Sequence, residues 1–248
     1  MSATIHIGFL LFPNVTQLDL TGPAQILSRV PGAQVHLIWK RLEPVMTGVG
    51  FSINPTVSFA DCPALDVLCV PGGFGIGDQL NDAETLDFLR RQGAQARYVT
   101  SVCNGSLILG AAGLLQGYRS ACHWMWRDYL PRFGAIPVNA RVVRDRNRLS
   151  GGGVTAGIDF GLTLAAELAG AEVAQSLQLA FEYDPQPPFD CGTPEKAGPQ
   201  LVANLRALQG KRIEDVASKI EHAAALLAAR CAGSMPPARQ NIAEIPAG

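Results

Sequence analysis

Residues 97–115 read RYVTSVCNGSLILGAAGLL. After Arg97 come five β-branched, aromatic or small residues, a run suited to a strand covered on both faces. Small residues follow at 103–106, and an apolar helical stretch occupies 105–115. Cys103 falls at the junction. A residue there is pushed onto a sharp strand-to-helix turn, as in the nucleophile elbow of hydrolases. Amide N–H groups of the following helix are expected to lower a thiol's pKa and favour the thiolate. The alternative is a small buried cysteine that merely ends a strand.

Outward from this junction, short β-rich runs alternate with helical ones. Strands are expected at 5–12 (IHIGFLLF), 35–40 and 66–70, a short segment at 118–122, and a strand pair at 141–149. Helices are expected at 19–30, with Pro23 near its first turn, and at 81–93, 124–133, 155–168 and 171–181. This βαβ rhythm predicts an α/β fold with a mostly parallel sheet, helices on both sides and ligands beyond the carboxyl ends of the strands. Residues 184–199 hold five prolines and read as an extended wrap; 201–230 read as helical, and 231–248 as a flexible tail.

Composition narrows the function classes. Twenty basic against 21 acidic residues in 248 leave a net charge of −1, so no cationic field exists to hold nucleic acid or anionic lipid. No apolar run reaches the ~18 residues of a membrane span. The start, MSATIHIGFLLF, lacks the marks of a signal peptide. Six cysteines without a CxxC pair suit neither a disulfide scaffold nor a zinc site, and reduced thiols in a cytoplasm are expected. Of these six, only Cys103 has a strand-to-helix setting. No metal-ligand spacing and no nucleotide or flavin motif is present, so no cofactor is expected.

Two further motifs stand beside the elbow. Pro71-Gly72-Gly73-Phe74-Gly75-Ile76-Gly77 closes the third strand. Its glycines let backbone amides approach a ligand, as an oxyanion hole needs, or simply make a tight turn. A phosphate loop fits poorly, with no G-x-x-x-x-G-K-[ST] and no basic residue near. Gln17-Leu-Asp19-Leu-Thr-Gly22-Pro23 sets an acid between two leucines, either as a helix cap or as a buried carboxyl with raised pKa.

LDLTGP after the first strand, PGG after the third and the cysteine elbow after the next strand together resemble the DJ-1/PfpI superfamily. The stretches GSLILGAAGLLQGYRSACHWMWRDYL, FGAIPV and RVVRDRNRLSGGGVTAGIDFGLTLAAEL sharpen this to a resemblance with its isocyanide hydratases, from about residue 5 to 188. The resemblance implies a flavodoxin-like three-layer sandwich, usually a homodimer. It implies a catalytic domain over 1–188, a wrap and helical extension of the same domain over 189–230, and a tail over 231–248. Cys103 matches the nucleophile, Asp19 the acid, and Gly72 and Gly73 the turn facing the cysteine. Asn104 departs from the hydratases' threonine and is expected to contact substrate. Its identity also argues against a Cys–His dyad, since other branches carry histidine there. His123 either stands near the site, as in several members, or is a packed core imidazole.

The implied activity is that of a hydro-lyase acting on a small-molecule isocyanide. Addition of the thiol at the terminal carbon, with Asp19 moving the proton, gives a thioimidate, and water then releases an N-substituted formamide. The pocket is expected to be apolar around the substituent. Two alternatives stay open: a glyoxalase-like enzyme or amide hydrolase using the same cysteine, and a redox or ligand sensor without turnover. Some relatives carry helix-turn-helix domains, but 189–248 show no paired recognition helices and no basic cluster, which disfavours a regulator.

Overall fold

The structure, a computed structural model, describes residues 4–233. The first half runs β1 (Ile5–Leu10), α1 (Gln17–Leu27), β2 (Ala33–Trp39), β3 (Val45–Met46), β4 (Ser52–Ile53), β5 (Val57–Ser58), β6 (Val67–Val70), α2 (Ile76–Gln79), α3 (Ala83–Gln95), β7 (Tyr98–Val102) and α4 (Gly105–Ala111). The second half runs β8 (Arg119–Ser120), a 3₁₀ helix (Arg127–Phe133), β9 (Ile136–Pro137), β10 (Val142–Asp145), β11 (Arg148–Gly151), α5 (Ala156–Ala169), α6 (Ala171–Ala180), α7 (Pro194–Ala197), α8 (Pro199–Leu208) and α9 (Gly210–Gly233).

Seven strands form one sheet in the order β10-β11-β7-β6-β1-β2-β5, and every pair is parallel except β10 with β11. Strands β6 and β7 are buried along their whole length, which is why VLCV and YVTSV carry no charge. α1, α5 and α6 pack together as one helical layer, while α2, α3, α4 and α9 pack as the other. This is the flavodoxin-like three-layer sandwich. The chain leaves β1 toward β2 on one side and later returns to β6 on the other. That reversal opens a crevice past the carboxyl ends of β1, β6 and β7, where α/β sheets bind ligands.

Three expected elements take another form. The helix expected at 124–133 is the 3₁₀ turn Arg127–Phe133, because Pro131 lies within it and cannot donate to an α ladder. The helical stretch 201–230 breaks at Gln209 into α8 and α9, next to the helix-weakening Gly210. The proline-rich wrap contains the short α7, with Pro194 at its start and Thr193 Oγ1 accepting from the Lys196 N–H. α9 lays Val216, Ile220, Ala223 and Leu227 against the body, a stripe at helical spacing. It continues through Gly233, so the expected tail begins helical; its residues 234–248 lie outside the described residues.

Candidate active site

The end of β7 delivers Cys103 into the crevice with φ +59, a left-handed conformation that is rare for a side chain bearing Cβ. The Cys103 N–H donates to Gly151 O at 3.0 Å and the Ser106 hydroxyl to Cys103 O at 3.3 Å, so β11 and the first turn of α4 hold the turn. Gly105 lets α4 start directly behind it: a Cβ there would lie 2.2 Å from Val70 O and 2.5 Å from Pro71 O. The elbow is therefore built by β6 and β7 together.

Asp19 comes from the first turn of α1 and is fully buried. It does not cap that helix. Its Oδ2 accepts from the Gly72 N–H at 2.9 Å, across the crevice, and Thr16 occupies the cap position. Its Oδ1 has no hydrogen-bond partner. Burial pushes this carboxyl up to about 7, against the lowering effects of the Gly72 N–H and the Cys103 thiol. The thiol is near enough for each group to affect the other's ionisation, yet no hydrogen bond of ordinary geometry joins them.

The same neighbourhood reverses the expected effect on the thiol. Burial first, then the Asp19 charge and the Cys122 thiol, push Cys103 well above the ordinary cysteine range. The Asn104 N–H at the head of α4 acts in the lowering direction, but it is outweighed. The resting group is a neutral thiol, and its proton must have somewhere to go when sulfur attacks.

Gly72 and Gly73 do face the cysteine turn, but neither N–H is a free donor. Gly72 N–H is held by Asp19, and Gly73 N–H donates to Asn104 Oδ1 at 2.8 Å. The Asn104 amide also donates back to Gly73 O at 3.4 Å. Asn104, Gly72 and Gly73 thus clamp the two loops together, where the sequence suggested an oxyanion hole and a substrate contact. Gly73 has φ +140, and a Cβ there would lie 2.5 Å from Asn14 O and Thr16 N, so only glycine lets the loop press on the β1–α1 connection.

A cleft of about 170 Å³ reaches Cys103 and Asn104. Phe74, Met125, Trp126 and Val154 give it an apolar wall, with Gln209 contributed by the α8–α9 junction. His123 is half-buried at its edge, where burial pushes it down to about 4; its Nδ1 accepts from the Met125 N–H at 3.3 Å. It is therefore a neutral imidazole, in the cleft wall and not in the core. Gln209 and Trp126 carry no sequence signal, because only the folded path of the 3₁₀ turn and of the C-terminal extension brings them here. Among the described residues, no three histidine, cysteine or acidic side chains gather as metal ligands, and no helix is long and apolar enough to cross a membrane.

A model of the DJ-1/PfpI family matches residues 6–167. The chain belongs to the DJ-1/PfpI family. It is 56% identical to an isonitrile hydratase of Pseudomonas putida over 223 residues, covering 90% of this chain and 98% of that protein. A crystal structure of a THiJ/PfpI family protein from Pseudomonas syringae superposes with a TM-score of 0.85 at 46% identity, covering 90% of this chain and 91% of that one. An HTH-type transcriptional regulator, GbdR of Pseudomonas aeruginosa, is 32% identical over 72% of this chain, which spans 50% of the regulator. The elements that carry Asp19, the glycine loop and Cys103 lie within or overlap the family match, whereas Gln209 lies beyond it.

Proposed function

We propose that this protein hydrates isocyanides to N-substituted formamides, with Cys103 as nucleophile and Asp19 as proton carrier. The observation that carries the reading is Asp19 Oδ1, buried and unpartnered beside a thiol on a strained turn. The extent of identity to the isonitrile hydratase supports the substrate class. Asp19 takes the thiol proton as sulfur bonds to the terminal isocyanide carbon, and delivers it to that same carbon. The thioimidate R–N=CH–S so formed is attacked by water, with Asp19 now as base. The proton Asp19 takes from water passes to the imidate nitrogen; as the C–S bond breaks, the hydroxyl proton returns by way of Asp19 to sulfur, the formamide leaves and the thiol is restored. Asn104 and the two glycines position the pair, and Gly73 and Asn104 also line the cleft the substrate enters.

The burial of Cys103 weighs against an oxidation sensor, which needs an accessible thiolate. All six cysteines are free, which suits a reducing cytoplasm. Residues 189–230 are read as an extension of the catalytic domain because Gln209 completes the cleft wall. The assembly is read as a homodimer, as the family resemblance implies. Purified protein mixed with an alkyl isocyanide is expected to erase the infrared isocyanide band while formamide accumulates. A persisting band, with lactate formed from a dicarbonyl instead, overturns this reading in favour of a glyoxalase-like enzyme.

A further inference from the structure

The cleft at Cys103 does not end at its apolar wall. His123 and Val154 also line a second, larger chamber of about 520 Å³. Pockets that hold a whole ligand run to roughly 300–1,000 Å³. The cleft alone falls short of that range and the chamber falls within it. A substrate whose isocyanide carbon meets Cys103 must therefore pass any sizeable substituent across this shared wall.

The chamber is mixed in character and not the apolar pocket expected around the substituent: Trp124, Val154 and Pro194 stand beside polar groups. Arg127, Asn139, Arg141, Thr155 and Glu195 line it. The two arginines differ. Arg141 is committed: it pairs with Asp159 at 2.6 Å and donates to Thr155 O at 3.1 Å, so it builds the wall. Arg127 donates from Nη1 to Asn139 Oδ1; no carboxylate among the described residues lies within ion-pair distance of it, and Glu195 in the same wall feels its charge without a direct contact. Asn139 is turned for this by its own amide, which donates to Glu195 Oε1 at 3.0 Å. A guanidinium has five N–H donors in a planar fork that matches a carboxylate. Most of those on Arg127 are left for a ligand.

We propose that the chamber is the substituent subsite, and that it selects isocyanides bearing a carboxylate at the far end of the substituent, read by Arg127. This rests on the hydratase reading above and names its substrate class. The apolar cleft takes the carbon linker next to the isocyanide, and the chamber takes the charged end.

The test compares kcat/KM for ω-isocyano carboxylates of increasing chain length with their methyl esters. At the length that spans the wall, the acid is expected to exceed the ester by about tenfold, as a charge-assisted pair at a partly open site gives. Arg127→Gln is expected to bring the ratio near one. Arg127→Lys, which keeps the charge and loses the fork, is expected to fall between, and the exposed Arg29→Gln to leave the ratio as in the parent. A ratio of one or below at every length, or one that survives Arg127→Gln, overturns the proposal. Calorimetry with the matching N-formyl ω-amino acids and their esters runs in parallel. If neither acid nor ester is consumed, the hydratase reading fails, and the calorimetry still decides the subsite. Carboxylate-dependent binding lost in Arg127→Gln supports it, and equal binding of acid and ester overturns it.

Discussion

Cys103 differs from the other five cysteines in what surrounds it. Burial pushes Cys62 up to about 11, and Cys69 and Cys122 up to about 12; no carboxyl acts on Cys62 or Cys69, and Asp128 acts on Cys122 only through its charge, without a hydrogen bond. Cys191 and Cys231 are exposed. Cys103 is also raised, but it alone has Asp19 to receive its proton. Cys103→Ala is therefore expected to abolish turnover, while alanine at each of the other five leaves kcat/KM within a few-fold in a steady-state assay. Residual turnover in Cys103→Ala overturns the covalent route. Both residues stood out in the sequence as local patterns, a strand-to-helix junction and an acid between leucines, but the patterns alone left each a structural reading and only the family resemblance paired them. The sign of the thiol's shift was not legible there. It depends on which charge the fold brings opposite the helix amides, and Asp19 is more than eighty residues away along the chain.

At the scale of elements, the PGG loop, the start of α1 and the elbow lock together through backbone contacts closer than any side chain tolerates. Gly105 is the tightest point of the elbow, since the atoms a Cβ would meet are carbonyls of β6 and its loop. Gly105→Ala must push α4 away from β6, which is expected to cost about 1–3 kcal/mol of stability in a denaturant titration. Because Cys103 rides on the same turn, activity is expected to fall further than stability implies. A variant with parent-like melting and parent-like kcat/KM shows that the turn yields without cost. Glycine motifs announced these loops, but not the use of their N–H groups: which acceptor reaches Gly72 or Gly73 is decided by Asp19 and Asn104 arriving from other elements. The same holds for Gln209, which enters the cleft only because the chain breaks between α8 and α9.

For the whole molecule, the mostly parallel sheet and the helices on both its faces followed from the βαβ rhythm, since buried parallel strands leave continuous apolar runs, while the strand order did not. The C-terminal extension was harder to read. α8 has no buried residue, and Leu201, Leu205 and Leu208 stand exposed on it at helical spacing. Nothing among the described residues covers this stripe, which the proposed homodimer would do. Sedimentation at micromolar concentration is expected to show a dimer, and a monomer alone counts against it.

The stability of the whole chain also registers the Asp19 carboxyl. Its pKa is raised from 3.8 to about 7 in the folded protein. Below pH 3.8 the folded and unfolded chains both hold the proton, and the group contributes no difference. Between 3.8 and about 7 the unfolded chain ionises while the folded chain keeps its proton, so stability falls as pH rises; above about 7 the loss is complete. That interval corresponds to about 4 kcal/mol. Asp19→Asn keeps an oxygen for the Gly72 N–H and has no proton to lose, so it escapes the loss. Relative to the parent it is expected to gain several kcal/mol in denaturant titrations as pH moves from 4 to 8. Turnover moves the other way. Thiol and carboxyl need one shared proton between them, so the parent's kcat/KM is expected to rise through about pH 7, and Asp19→Asn to lose roughly 10²–10⁴-fold together with that rise. A stability difference that stays constant over this range shows that Asp19 is not held protonated by the fold. A variant within a few-fold of parental turnover removes Asp19 from the chemistry.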